Sequence, residues 1–184
     1  MTPYFFGYGS LVNKDTHVYD NAHRAVLKGW RRAWVRTADR ETVFLTARAD
    51  PNSRIDGLIA AVPNADWAAL DARETGYKRL ASDGFVDHPL EPAPPLQHYA
   101  IPSESMRHDG DHVILLSYLD VVVQGYLREF GHDGVQRFFD TTDGWDTPIL
   151  NDRHAPRYPR HKQLGPDETA LVNSHLTRLS AFVK

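Results

Sequence analysis

The chain has 184 residues, 41% of them hydrophobic and 24% charged, with a formal net charge of -3, which is the make-up of an ordinary globular protein with room for one well-buried core. This mildly acidic balance offers no basic face to nucleic acid or to an anionic membrane surface. There is no cysteine, which excludes disulfides, zinc–thiolate and iron–sulfur sites and a cysteine nucleophile together.

The chain opens with PYFFGYGSLV (3–12), an aromatic stretch that predicts a strand over 4–8 ending in Gly7-Tyr8-Gly9-Ser10. A second strand is expected in 25–37. The stretch 42–63 reads as two strands joined by a turn at Asp50-Pro51-Asn52-Ser53. The period then changes: Trp67, Leu70, Glu74 and Tyr77 recur three and four residues apart, predicting a helix over 65–76. Asn64 or Asp66 would cap its start and Gly76 its end. Residues 79–102 are expected to be extended, with a proline-rich loop, and Asp109-Gly110 to form a tight turn. Helices are predicted over 117–130 and 133–140, separated by Gly131. An irregular basic arm follows (141–165), then a last amphipathic helix from about Pro166. Strands gather in the first half and helices in the second, so the fold class expected is α+β. The apolar segment 113–127 is interrupted by Asp120 and Gln124 and is too short and polar to span a bilayer. The N-terminus lacks the basic and then apolar opening of a secretory signal, so a cytoplasmic location is expected.

Two places carry chemistry. The Gly7–Ser10 bend fails as a dinucleotide fingerprint, because Val12 stands where the third glycine is needed, and as a phosphate loop, because no lysine follows. It is either a plain glycine bend or a cradle of backbone N–H groups for an oxyanion or carboxylate. Glu74 lies on an apolar stripe and in the last helical turn, and burial and the negative helix end both raise the pKa of a carboxyl there. A general base working near neutrality needs that shift. The competing reading of Glu74 is a structural ion pair with Arg73, Lys78 or Arg79. His108, Asp109, Asp111 and His112 are metal-ligand types, but the Asp-Gly pair among them suits a hairpin turn better, and no metal site is expected. Ser10 does not sit in a GxSxG elbow.

Taken together, FGYGSL (6–11) and LDARETGY (70–77) resemble the γ-glutamylcyclotransferase-like superfamily, including ChaC-type enzymes, and SYLDVVVQG (117–125) is similar to that family's tyrosine-leucine helix. The resemblance spans residues 3 to about 130. It implies a small mixed β-barrel with flanking helices over residues 1–140, with 141–184 as an arm and helix on the same domain. It implies release of an amine from a small γ-glutamyl substrate with formation of 5-oxoproline and no cofactor. By the same resemblance Glu74 would be the catalytic acid/base, and Tyr8, Gly9, Ser10, Leu11 and Tyr118 would bind the substrate. The arm has no counterpart in the resemblance; it is open to covering the pocket, choosing the leaving group or making a homodimer contact. The alternative is a non-catalytic module that binds a small ligand or partner on the same fold.

Overall fold

Strand β1 (Tyr4–Gly7) lies inside a sheet and is covered on both sides, which is why it is an unbroken aromatic run rather than an alternating one. Phe6 packs on one face with Leu27 and Leu45, and Phe5 on the other with Leu11, Leu70 and Tyr99. These contacts belong to a computed structural model that describes residues 1–38 and 40–184.

Strands β2 (His23–Thr37) and β3 (Phe44–Ala61) form the long antiparallel pair of the sheet. β3 is one strand, not the two expected. Lys28 stands opposite Arg54 and Trp30 opposite Ala49, so residues 50–53 bulge out against Gly29, which has φ +77°. The Asp50 carboxylate closes the bulge by accepting from the Asn52 N–H at 3.1 Å and the Ser53 hydroxyl at 2.6 Å. The turn chemistry was legible, but cross-strand pairing on both sides of it keeps the chain running in one direction.

Helix α1 (Ala68–Arg73) leads to β4 (Lys78–Ala81), β5 (Val86–Asp87) and β6 (Leu96–Ala100). The sheet order is β4-β6-β1-β3-β2-β5, with β1 parallel to β6 and antiparallel to β3, and the sheet curls as a half-barrel. Two short strands follow, β7 (Met106–Arg107), which pairs with β2, and β8 (Ile114–Leu115). Helix α2 (Leu116–Asp140) then fills the concave side with Leu119, Val122, Val123 and Tyr126; it breaks at Gly131, φ +67°, where two helices were predicted to part. Strand β9 (Thr142–Asp143) adds to β2, β10 (Ile149–Leu150) pairs with β8, and α3 (Pro166–Arg178) packs Val172, His175 and Leu176 inward. The fold is therefore α+β, as the distribution of periodicities implied. No helix among the described residues is long and apolar enough to cross a membrane.

α2 meets the glycine loop through Gly125, where a Cβ would stand 2.7 Å from the Asn13 backbone nitrogen and 2.9 Å from its Cα. Alanine would gain about 1 kcal/mol of helix propensity. Overpacking costs about 1–3 kcal/mol, and here the obstacle is backbone that cannot rotate aside. Gly125→Ala should therefore lower the melting temperature; an unchanged or higher value would show that α2 and the loop separate at no cost.

Candidate active site

Glu74 occupies the end of α1, where the chain leaves helical geometry (φ -94°, ψ 36°) and turns at Gly76, φ +95°. The helix is shorter than the predicted 65–76. It starts late because Asn64 and Ala65 have positive φ in the preceding turn, and Asp66 accepts from the Ala68 N–H at 3.0 Å. Tyr77 is thus not on the helix. The Gly76 turn brings it to the same cavity, where its hydroxyl donates to the Leu45 carbonyl at 2.8 Å.

The glycine loop presents its backbone. The Tyr8 hydroxyl is committed across the sheet, donating to the Tyr99 carbonyl at 2.6 Å and accepting from the Ala47 N–H at 3.0 Å. The Leu11 side chain is core, packed with Phe5. The backbone N–H of Gly9 finds no hydrogen-bond acceptor among the described residues. A Cβ at Gly9 would sit 2.7 Å from the Tyr118 hydroxyl, so any larger residue there has to displace that side chain. Tyr118 itself stands in the first turn of α2, edge-on to Trp34 and Tyr158. Burial, and then the neighbouring Tyr158, Glu74 and Tyr8, push the Tyr118 hydroxyl well above its ordinary pKa, so it is a neutral donor.

Arg73 ties the parts together. Its guanidinium donates to the Thr16 carbonyl at 2.8 Å, to Ser10 Oγ and Thr16 Oγ1 at 3.1 Å each, and its Nε lies 3.2 Å from Glu74 Oε1. Of the ion pairs weighed for Glu74, the one with Arg73 forms; Arg79 instead approaches Asp71 at 3.5 Å and covers the Trp67 ring. The pair does not hold Glu74 in its ordinary range. Burial raises the carboxyl, and the opposing charges of Arg73 and Arg160 only partly offset it. Ser10 Oγ accepts a second bond, from the Tyr158 hydroxyl at 2.9 Å.

These groups enclose a recess of about 30 Å³ lined by Gly7–Leu11, Glu74, Tyr77, Tyr99 and Tyr118. It shares Ser10, Leu45, Glu74, Tyr77 and Tyr118 with an outer cavity of about 490 Å³, whose far wall is Arg157, Tyr158, Pro159 and Arg160. The recess fits one oxygen-sized group and the outer cavity the bulk of a small molecule. The structure thus brings all the predicted site residues to one place, with Tyr8 and Leu11 serving the framework through their side chains. Tyr158 and Trp34 were not anticipated. An aromatic between two arginines in the proline-rich arm was the one available signal for Tyr158.

The half-barrel sheet with few helices is the fold of solved γ-glutamylcyclotransferase-like structures. Residues 3–90 match the model of the family described as ChaC-like protein, and the resemblance carried by the sequence motifs is borne out. A solved structure described as gamma-glutamyl cyclotransferase superposes with a TM-score of 0.58 at 11% identity, over 93% of this chain and 98% of that one. YkqA from Bacillus subtilis gives 0.58 at 16% identity over 78% of this chain and 56% of its own. The uncharacterized human protein loc79017 gives 0.56 at 12% identity, over 92% of this chain and 97% of that one. At these identities the likeness is one of fold. No curated protein matches the sequence.

Proposed function

We propose that the protein is a γ-glutamylcyclotransferase-type enzyme that cyclises a γ-glutamyl amide to 5-oxoproline and releases the amine. The observation that carries this reading is the shared recess, with a carboxyl of raised pKa on one side and the unengaged Gly9 N–H of the glycine loop on the other. The ChaC-like match over residues 3–90 and the fold shared with a gamma-glutamyl cyclotransferase support it.

In the reaction the substrate's own α-amine attacks its side-chain amide carbon, so the two reacting atoms are already tethered and the protein contributes orientation. Glu74 takes the proton that the α-ammonium sheds. A carbon–nitrogen bond forms and the carbonyl oxygen becomes an oxyanion, held by N–H donors of the loop and by the Tyr118 hydroxyl. Glu74 returns the proton to the departing nitrogen, the old carbon–nitrogen bond breaks, the ring nitrogen gives its second proton to the released amine, and the neutral lactam and an ammonium leave. No oxidant, metal or nucleotide takes part in this balance.

The Glu74–Arg73 pair favours a second reading, in which Glu74 is a structural acid and the cavity only binds a small ligand. Incubation with γ-glutamyl amines, γ-glutamyl dipeptides and glutathione, with 5-oxoproline as the readout, separates the two. Product from at least one compound supports the enzyme; none across the panel sinks it. For the enzyme, kcat/KM should rise with pH through an acid limb lying above the ordinary carboxylate range, because the free-enzyme base is raised by burial. A limb at the ordinary value would remove Glu74 from the role.

A further inference from the structure

Residues 152–160 do not float over the cavity. The buried Asp152 carboxylate accepts from the Ser117 N–H at 2.8 Å, the Ser117 hydroxyl at 2.6 Å and the Arg157 N–H at 2.9 Å. Arg153 donates to both oxygens of Asp120 at 2.7 Å. Tyr158 is pinned at both ends, by its N–H on Ser117 Oγ at 3.3 Å and its hydroxyl on Ser10 Oγ at 2.9 Å. The strap is thus bolted to the first turns of α2 and to the glycine loop, and Arg157 and Arg160 flank its anchored tyrosine. These contacts hold the backbone that carries both arginines, whose side chains are exposed.

The charge on the cavity wall runs against the chain's own composition. A protein of net charge -3 lines this cavity with Arg40, Arg73, Arg157 and Arg160, and, among the described residues, with Glu74 as the one acid. Arg73 is used up within the site by Thr16, Ser10 and Glu74. Arg157 approaches Glu41 at 3.7 Å, but that carboxylate is on the rim with its side chain 88% exposed, a weak pair that a bound anion can replace. Arg160 is close enough for its charge to act on Glu74. A cationic amine entering here would meet like charges, whereas an anionic one would be drawn in.

We infer that the C-terminal strap is the leaving-group selector of the site, with Arg157 and Arg160 receiving a carboxylate carried by the departing amine. The inference rests on the cyclotransferase reading in that the γ-glutamyl head lies across the recess, which leaves the amine half against the strap. The substrate class is then a γ-glutamyl amino acid or peptide, not a γ-glutamyl polyamine or an uncharged amide. These arginines lie outside residues 3–90, so the selectivity belongs to the part of the chain that the family match does not cover.

The test compares γ-glutamylglycine with γ-glutamylglycinamide, which differ by one negative charge at the far end of the leaving amine. The wild-type protein should favour the carboxylate by about tenfold in kcat/KM, the scale of one well-placed ion pair. In Arg157→Gln/Arg160→Gln the ratio should fall to within about twofold, chiefly through KM, and Arg157→Lys/Arg160→Lys should recover part of it. Because the ratio is taken within each protein, a smaller folded fraction cancels out. Glutathione as a third compound tells whether the carboxylate is received at amino-acid or dipeptide length. A wild-type ratio near one, or a ratio unchanged in the glutamine variant, overturns the selector. If no compound of the wider γ-glutamyl panel is cyclised, the cyclotransferase reading falls. Where neither glycine compound turns over, the same ratio is read from dissociation constants by calorimetry, where a value near one overturns the selector as well.

Discussion

Glu74→Gln should reduce 5-oxoproline formation by about 10²–10⁴-fold, the usual size of a lost general acid–base step, while leaving substrate binding and the fold in place. Glutamine keeps the volume and an oxygen that can still accept from Arg73 Nε, now 3.2 Å from Glu74 Oε1, but it cannot carry a proton from one nitrogen to another. Stability is the more discriminating half of the experiment. The Arg73 pair favours the carboxylate and burial opposes it, and burial wins, because the net pKa is raised. A carboxyl whose folded-state pKa lies above its unfolded value binds more protons when folded. It therefore contributes stability at low pH that is lost as pH rises from the unfolded pKa through the folded one. The variant should lack that loss, and so melt at the wild-type temperature or slightly above it near neutral pH. A protein that melts several degrees lower yet still cyclises would mean that Glu74 is a structural acid.

Tyr126→Phe should cost about 2–3 kcal/mol of stability, the scale of stranding buried polar groups one of which is charged. The Tyr126 hydroxyl lies 2.6 Å from the Asp56 carbonyl and 2.9 Å from the Tyr8 carbonyl, and accepts from Arg32 Nη1 at 3.0 Å. Arg32 is 0% exposed and, among the described residues, has no carboxylate as a hydrogen-bond partner. Its charge is held by the carbonyl of Asp56, the hydroxyls of Thr141, Thr142 and Tyr126, and the ring faces of Tyr126 and Phe138. Burial already lowers its basicity. Phenylalanine keeps the ring contact and removes one oxygen, so the loss isolates the hydroxyl's part. At about 2–4 °C per kcal/mol for a domain of this size, the melting temperature should fall by about 4–12 °C. A fall of under about one degree would show that the remaining oxygens satisfy Arg32 without help. Since the same hydroxyl reaches the Tyr8 carbonyl, the variant should also loosen the glycine loop and lower kcat/KM more modestly than Glu74→Gln.

Much of the candidate site was legible because its elements are local. Gly7, Gly9 and Ser10 are neighbours in the chain, and a run of glycines after a strand implies exposed backbone wherever the strand ends up. The Glu74 argument needed only its place near a helix end. The helix length was misjudged, since periodicity cannot see that Gly76 turns Tyr77 onto the cavity by another route. Reading residues 50–53 as a turn failed for a related reason. Asp-Pro-Asn-Ser has the chemistry of a turn, but whether the chain reverses depends on what pairs with the flanking residues, and β2 pairs with both sides.

The sequence by itself determined the α+β class, the break at Gly131, the place of Glu74 near a helix end and the glycine bend after the first strand, because each follows from residues a few positions apart acting through conformational preference. Only the tertiary structure decided what surrounds them. Arg73 meets Ser10 and Thr16 across 63 and 57 residues, and Tyr158 meets Ser10 across 148. Contacts at such separations are set by strand register and by how α2 seats on the sheet, and no local preference encodes either. The irregular basic arm, whose role the sequence left open, becomes a cavity wall because Asp152 and Arg153 find Ser117 and Asp120 on the opening turns of α2. Burial of those carboxylates against α2 makes the pairings worth holding, and that burial exists only in the folded chain.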